Sequence, residues 1–349
     1  MRSAVIFAFV GVLGVFVSQG CGGVQGGETE TKRSELGSFG SWTSMGGLLL
    51  DSPSLARTQS TTLTAFGLGT DSQIWTTAQN SSGQWTGNWT PLPGGRFASR
   101  PAAVGLNLPS GDPLANFFAI VAMRDDGTYY VRVQNQSGSQ IALDWSEVAG
   151  NIYWTSAPAL VFVPATAADP YPSVVVAGNS HYGLEAWQMY LSRVTNYAPN
   201  AWEGFAFHQN ITEDFRFDRA PALAFVPPAL GTSNNFILAV GMHNSSGIAY
   251  KSAPYSNNAF TPLQDVPNGL FLTAPALAAG IQGQLMELTI FGLGTDYLIY
   301  RSNDLGSSGF SPIGGMAFET APTATGLGNQ VWVSSLSFGR PFTATATSP

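Results

Sequence analysis

A proline-centred phrase recurs six times along the chain, and this repeat constrains the fold more than any other feature. In each copy a small or polar residue precedes Pro, and a short run of small and apolar residues follows. The copies are SPSLA at Pro53, RPAAV at Pro101, APALV at Pro158, APALA at Pro221 and again at Pro275, and APTAT at Pro322. Successive prolines lie 48, 57, 63, 54 and 47 residues apart, a period that fits one propeller blade per repeat. Ahead of the prolines stands a second phrase, an aromatic followed by Thr or Ser and a Gly-containing turn. Trp42 opens WTSMGG, Trp89 WTPLPGG, Trp145 WSEVAG, Phe260 FTPLQDVPNG and Phe310 FSPIGG, with a degenerate copy inside residues 202–208. A third phrase, FGLGTDSQIW at residues 66–75, returns as FGLGTDYLIY at residues 291–300, and weaker copies end at Tyr130, Trp187 and Tyr250.

Each unit therefore spells four short strands: one after Pro, one ending near Gly, a third carrying an aromatic beyond an Asp or Ser turn, and a fourth opened by Trp or Phe. Four antiparallel strands per repeat define a propeller blade. The longer units carry their extra residues, LNLPSGDPLAN, PATAADPYP and PPALGTSNN, between strands one and two, so the insertions decorate one face. After Pro322 the chain has room for only three strands, at 323–326, 330–338 and 342–347. The Trp42 phrase, which has no three strands of its own, supplies the fourth and closes the ring without exposed edges. The expected fold is all-β: a β-propeller of six four-stranded blades closed by an N-terminal strand, with seven blades as the alternative count.

Composition agrees, with 40 Gly, 22 Pro, 12% aromatic and only 10% charged residues, a balance that favours strands and tight turns over helices. The net charge is −7 and the few Lys and Arg never cluster, which excludes nucleic acid as a partner. Arg2 precedes an apolar run over residues 4–17 that is short for a membrane span and reads as an export signal. Cys21, the only cysteine, follows Gly20 in the manner of a bacterial lipoprotein signal, where the cysteine is acylated. The expected organisation is a signal peptide at 1–20, a lipid-anchor cysteine and flexible tether at 21–38, and the propeller at 39–349. The protein is then exported and held on a membrane, at the cell surface or in the periplasm, through its lipid alone; simple secretion is the alternative.

The pairing of GxD, an apolar residue and Trp or Tyr with W(S/T)xLGG and a small-Pro-Ala strand resembles the PLL family of β-propeller lectins. The resemblance covers roughly residues 39–349. It implies glycan binding, of a fucose-like sugar, in clefts between neighbouring blades; members of that family have seven blades.

Asp71, Asp126 and Asp296 stand four residues before the aromatics Trp75, Tyr130 and Tyr300, where Asp ordinarily fixes a hairpin by accepting backbone N–H bonds. The repeated aromatics Trp75, Trp89, Tyr130, Trp145, Trp187, Tyr250 and Tyr300 are the groups able to stack on a sugar ring while an indole N–H or phenol stays available for polar contact. Together with Asp71 and Asp296 they form the candidate ligand-binding set, although most aromatics in a repeat protein pack neighbouring units together. His181, His208 and His243 show no metal-ligand spacing. Glu203, Glu213, Asp214 and Asp218 form the one acidic group resembling a glycosidase pair. No phosphate loop, dinucleotide fingerprint or nucleophile elbow occurs. The reading is a carbohydrate-binding protein that needs no cofactor or metal, not an enzyme; a protein-binding scaffold is the competing reading, with a glycan-cleaving enzyme ranked behind it.

Overall fold

The structure, a computed structural model, describes residues 38–149, 152–166, 170–181, 183–197, 201–205, 217, 219–226, 236–243, 247–254, 264–267, 270–282, 285–303 and 309–347. Among the described residues, strands β1 to β24 form six four-stranded antiparallel sheets. Blade one is β2 (Ser54–Ala56), β3 (Thr64–Leu68), β4 (Ile74–Ala78) and β5 (Thr90–Leu92). Blade two is β6 (Ala102–Gly105), β7 (Phe117–Met123), β8 (Tyr129–Asn135) and β9 (Ile141–Glu147). Blade three is β10 (Ala159–Val163), β11 (Ser173–Ser180), β12 (Gly183–Tyr190) and β13 (Trp202–Phe205). Blade four is β14 (Ala222–Val226), β15 (Phe236–His243), β16 (Gly247–Pro254) and β17 (Gln264–Val266). Blade five is β18 (Ala276–Gln282), β19 (Leu285–Leu293), β20 (Ile299–Asn303) and β21 (Ser311–Pro312).

The sixth blade joins the two ends of the chain. Strands β22 (Thr323–Leu327), β23 (Gln330–Ser337) and β24 (Arg340–Thr347) are completed by β1 (Thr43–Ser44), which pairs antiparallel with β24 through Thr43↔Thr343 and Ser44↔Phe342. The closed count is six, so the alternative of seven blades falls.

Each of the six prolines immediately precedes the first strand of its blade. Proline belongs there because it lacks an N–H for the ladder and tolerates a strand's first position. These first strands neighbour one another in a ring around the axis and line a cavity of about 490 Å³. The crowding there explains the small residues: a Cβ on Gly105 would stand 2.2 Å from the Arg57 carbonyl oxygen of the adjacent blade.

The core lies between blades rather than within them. Six hydrophobic clusters each join two neighbouring sheets; one unites Phe66, Leu68, Ile74 and Leu92 of blade one with Phe118, Ile120 and Ala122 of blade two. Each connector between blades adds a buried wedge at the same place: Leu49, Phe97, Trp154, Phe217, Phe271 and Phe318. At about 25 cal/mol per Å² of apolar surface removed from water, these interfaces supply the main favourable term, and no blade can gain it alone.

Candidate functional site

The hairpin joining strands two and three has the same design in blades one, two and five. In blade one the Gly69 amide donates to Gln73 O (2.9 Å) and Ser72 N–H to Gly69 O (3.0 Å), with Ser72 at φ 64°. Asp71 Oδ1 accepts the Gln73 amide (3.1 Å) and the Trp75 indole N–H (3.0 Å). In blade five Asp296 accepts the Leu298 amide through Oδ1 (3.2 Å) and the Tyr300 hydroxyl through Oδ2 (2.8 Å). Asp126 accepts the Thr128 amide at 2.9 Å. The aspartates thus hold their turns as expected, and two of them also hold the aromatic tip. The indole and phenol donors that the sequence reading left available are therefore engaged inside the hairpin.

These contacts move the local acidities. Desolvation, the largest single influence, pushes Asp71 up, but the bonds from Trp75 and the Gln73 amide together outweigh it and leave the carboxyl below its ordinary value. The Tyr300 hydroxyl bond pulls Asp296 down, and the same bond raises Tyr300.

The hairpin shares a face with the connector into the next blade. Phe97 N–H donates to Ser72 O and Phe318 N–H to Tyr297 O, both at 2.8 Å. Tyr130, half-buried like Trp75 and Tyr300, is covered on one ring face by Arg124, whose guanidinium carbon lies 3.7 Å from the ring centre.

Strand-four tryptophans latch blades together. Trp42 donates its indole N–H to Ile313 O of blade five (3.1 Å), Trp89 to Gly46 O of blade six (3.0 Å), and Trp145 to Pro93 O of blade one (2.9 Å). Each acceptor belongs to the Gly-containing turn of the preceding blade. Trp145 also packs on Phe97 at 4.6 Å and Trp42 on Phe318 at 4.4 Å.

Strand register separates Trp187 and Tyr250 from the other aromatics. Trp75 lies opposite Gly67, Tyr130 opposite Ala122 and Tyr300 opposite Gly292. The matching pairs in blades three and four are Gly178↔Glu185 and Gly241↔Ala249. Trp187 therefore stands two positions further along, and Tyr250 one. Trp187 donates its N–H to the buried Glu185 carboxylate (3.4 Å), which also accepts the Ser180 hydroxyl (2.6 Å). The degenerate copy of the strand-four phrase, in blade three, has Gly204 opposite Trp187, where Trp89 would stand.

Glu203 is exposed and paired with Arg193 at 2.5 Å; Glu213, Asp214 and Asp218 lie outside the described residues, as do Cys21 and His208. His181 is exposed. Among the described residues no group of His, Cys, Asp and Glu is placed to hold a metal ion.

A second feature was not expected from the sequence. Between blades one and two, on the side of the strand three-to-four turns, lies a cleft of about 400 Å³ lined by Thr76, Thr77, Asn88, Thr90, Arg132 and Gln136, among others. This volume falls within the span of roughly 300–1,000 Å³ usual for small-molecule sites. Arg132 is only 2% exposed; its Nε donates to Gln134 Oε1 (2.5 Å) and its Nη1 to Pro93 O (3.0 Å) and Asp144 Oδ1 (2.6 Å). Burial lowers the Arg132 pKa and Asp144 raises it. Thr76 Oγ1 and Gln134 Nε2 are buried with no partner among the described residues. A signal for this site exists in YYVRVQN: an Arg inside a buried strand needs a reason.

No family model matches the sequence, and no curated protein does. Solved structures do resemble the fold. A lectin from Aleuria aurantia, in complex with Fucα1-6GlcNAc, aligns at TM-score 0.56 with 12% identity over 84% of this chain and 90% of that one. AofleA from Arthrobotrys oligospora aligns at 0.57 with 11% identity over 86% and 84%. An α-L-arabinanase from Penicillium chrysogenum, complexed with arabinobiose, aligns at 0.57 with 10% identity over 89% and 98%. The chain is a six-bladed β-propeller, the fold given for another structure of the Aleuria lectin, which aligns at 0.51 with 13% identity over 84% and 90%.

Proposed function

We propose that this propeller binds carbohydrate without cleaving it. The observation that carries the reading is the cleft between blades one and two, where hydroxyl, amide and guanidinium groups line a space of monosaccharide scale and Thr76 Oγ1, on a lining residue, lacks a partner among the described residues. Such an atom is costly to leave unmet, and sugar hydroxyls, each both donor and acceptor, satisfy it. The fucose-bound lectins of the same fold and the resemblance to PLL lectins support the reading. Glycosidic cleavage needs two carboxyl groups flanking the bond, and no Asp or Glu is among the described residues lining the cleft or the axial cavity. The exposed edges of Trp75 and Tyr300 are further shallow surfaces for a fucose-like sugar, giving weak sites that act together by avidity.

A glycan array on the purified protein tests this, with Thr76→Val and the pair Trp75→Ala/Tyr300→Ala assigning the site. Signal lost in Thr76→Val places the ligand in the cleft, and signal lost in the double variant places it at the hairpins. An empty array leaves the protein-binding scaffold as the better reading, which the exposed Leu48, Leu50, Tyr297 and Phe338 on the hairpin face favour. Export and acylation at Cys21 belong to the same proposal; unchanged membrane fractionation of Cys21→Ala refutes the anchor.

A further inference from the structure

We infer that the ligand of the cleft between blades one and two is an acidic sugar, a hexuronate whose carboxylate meets the free edge of Arg132. The inference rests on the carbohydrate-binding reading and narrows it.

The cleft wall carries one formal charge among its described residues, the Arg132 guanidinium. Nε and Nη1 are taken by Gln134, Pro93 and Asp144, whereas Nη2 has no partner among the described residues. The counter-ion does not line the cleft. Asp144 stands in solvent with its side chain 71% exposed, against 2% for that of Arg132, so water screens the carboxylate far more than the guanidinium. The cleft interior is left with a positive potential and one unused donor of fixed direction. A carboxylate meets that donor with a charge-assisted bond, and the ring hydroxyls then face Thr76, Thr77, Asn88 and Gln136.

The register confines the cation to two of the six blades. Arg132 lies opposite Ile120; the corresponding positions are Thr77 in blade one, Trp187 in blade three, Ser302 in blade five and Ala344 in blade six. Only blade four repeats a basic residue, Lys251 opposite Ala239. A ring that copied one neutral-sugar site around its axis would not restrict its cation in this way.

The test is calorimetric titration of the full chain with two matched pairs, methyl glucuronide against methyl glucoside and methyl galacturonide against methyl galactoside. Within a pair the ligands differ only in the carboxylate. A charged hydrogen bond exceeds a neutral one by enough to expect about tenfold tighter binding of one uronide, with the preference shrinking as salt is added. Arg132→Gln should abolish the preference. Because Arg132 is buried and its replacement puts the fold at risk, Asp144→Asn provides the second arm: freed of its counter-ion, the guanidinium should favour the uronide over its neutral partner several-fold more. Equal affinities within both pairs, or a weaker preference in Asp144→Asn, overturn the acidic-sugar inference while leaving carbohydrate binding in place. Absence of binding by all four saccharides overturns both.

Discussion

Replacing Gly94 by Ala tests whether the strand-four tryptophans hold the ring together. Gly94 sits at φ 136°, and a Cβ there would lie 1.9 Å from Trp145 Cδ1. The ring cannot swing aside freely, because its N–H is bonded to Pro93 O and its face packs on Phe97. Two costs follow: about 1–3 kcal/mol for the backbone conformation and about 1–3 kcal/mol for overpacking. Gly83 is the control, since it has φ 77° and nothing within 4 Å of its would-be Cβ. Gly83→Ala should cost only the left-handed penalty of about 1–2 kcal/mol. The expected excess for Gly94→Ala is about 2 kcal/mol, read from denaturant midpoints at unchanged slope. Trp145→Phe in the Gly94→Ala background should recover about 1 kcal/mol relative to additivity, because the smaller ring relieves the overlap. If Gly94→Ala matches Gly83→Ala within about 0.5 kcal/mol, or the two changes are additive, the latch is not structural.

Three further outcomes are expected. Gly105→Ala, whose Cβ would meet the backbone of Arg57 at 2.2 Å, should lower the thermal midpoint more than Gly83→Ala, because a backbone neighbour cannot rotate away. Asp71 has a folded pKa below its ordinary value of 3.8, so its stabilisation is present above that value and is lost as pH falls through the lower folded one; acid titration of wild type against Asp71→Asn, following the Trp75 indole resonance, should show the two converge only at the acid end. Tyr300 is raised by its bond to Asp296, so Asp296→Asn should let it ionise at lower pH in a resonance-resolved tyrosine titration, and an unmoved Tyr300 would break the assigned pair.

The fold was legible because the phrases that repeat are those imposed by geometry at every blade. Pro can only open a strand beside the axis, the inner strand must be small, and the strand-four aromatic must span to its neighbour. The closing strand was legible for the same reason, since the Trp42 phrase lacks the three strands it needs. The connector wedges escaped notice because Leu49, Phe97 and Trp154 share size and place but not residue type. Their partners are visible in hindsight: the first Gly of FGLGTD recurs because the wedge lies on it, with Leu49 2.5 Å from a Cβ on Gly67 and Phe271 2.3 Å from one on Gly292.

The candidate site was less legible, and the weak copies of the third phrase show why. Aligning their terminal aromatics places Trp187 and Tyr250 with Trp75, yet the ladder puts Glu185 and Ala249 there. Side chains alternate in strands, so a slip of one position exchanges the two faces of a sheet, and a sequence match on aromatic type alone cannot detect it. The conserved phrases, moreover, record what all blades must do alike, whereas the cleft depends on what blade two does differently. Arg132 replaces residues as unlike as Thr77, Ser302 and Ala344 at one register, so repetition hides it. In a repeat protein, a buried charged residue at a register that most blades leave uncharged is thus a better pointer to a ligand than the residues that recur.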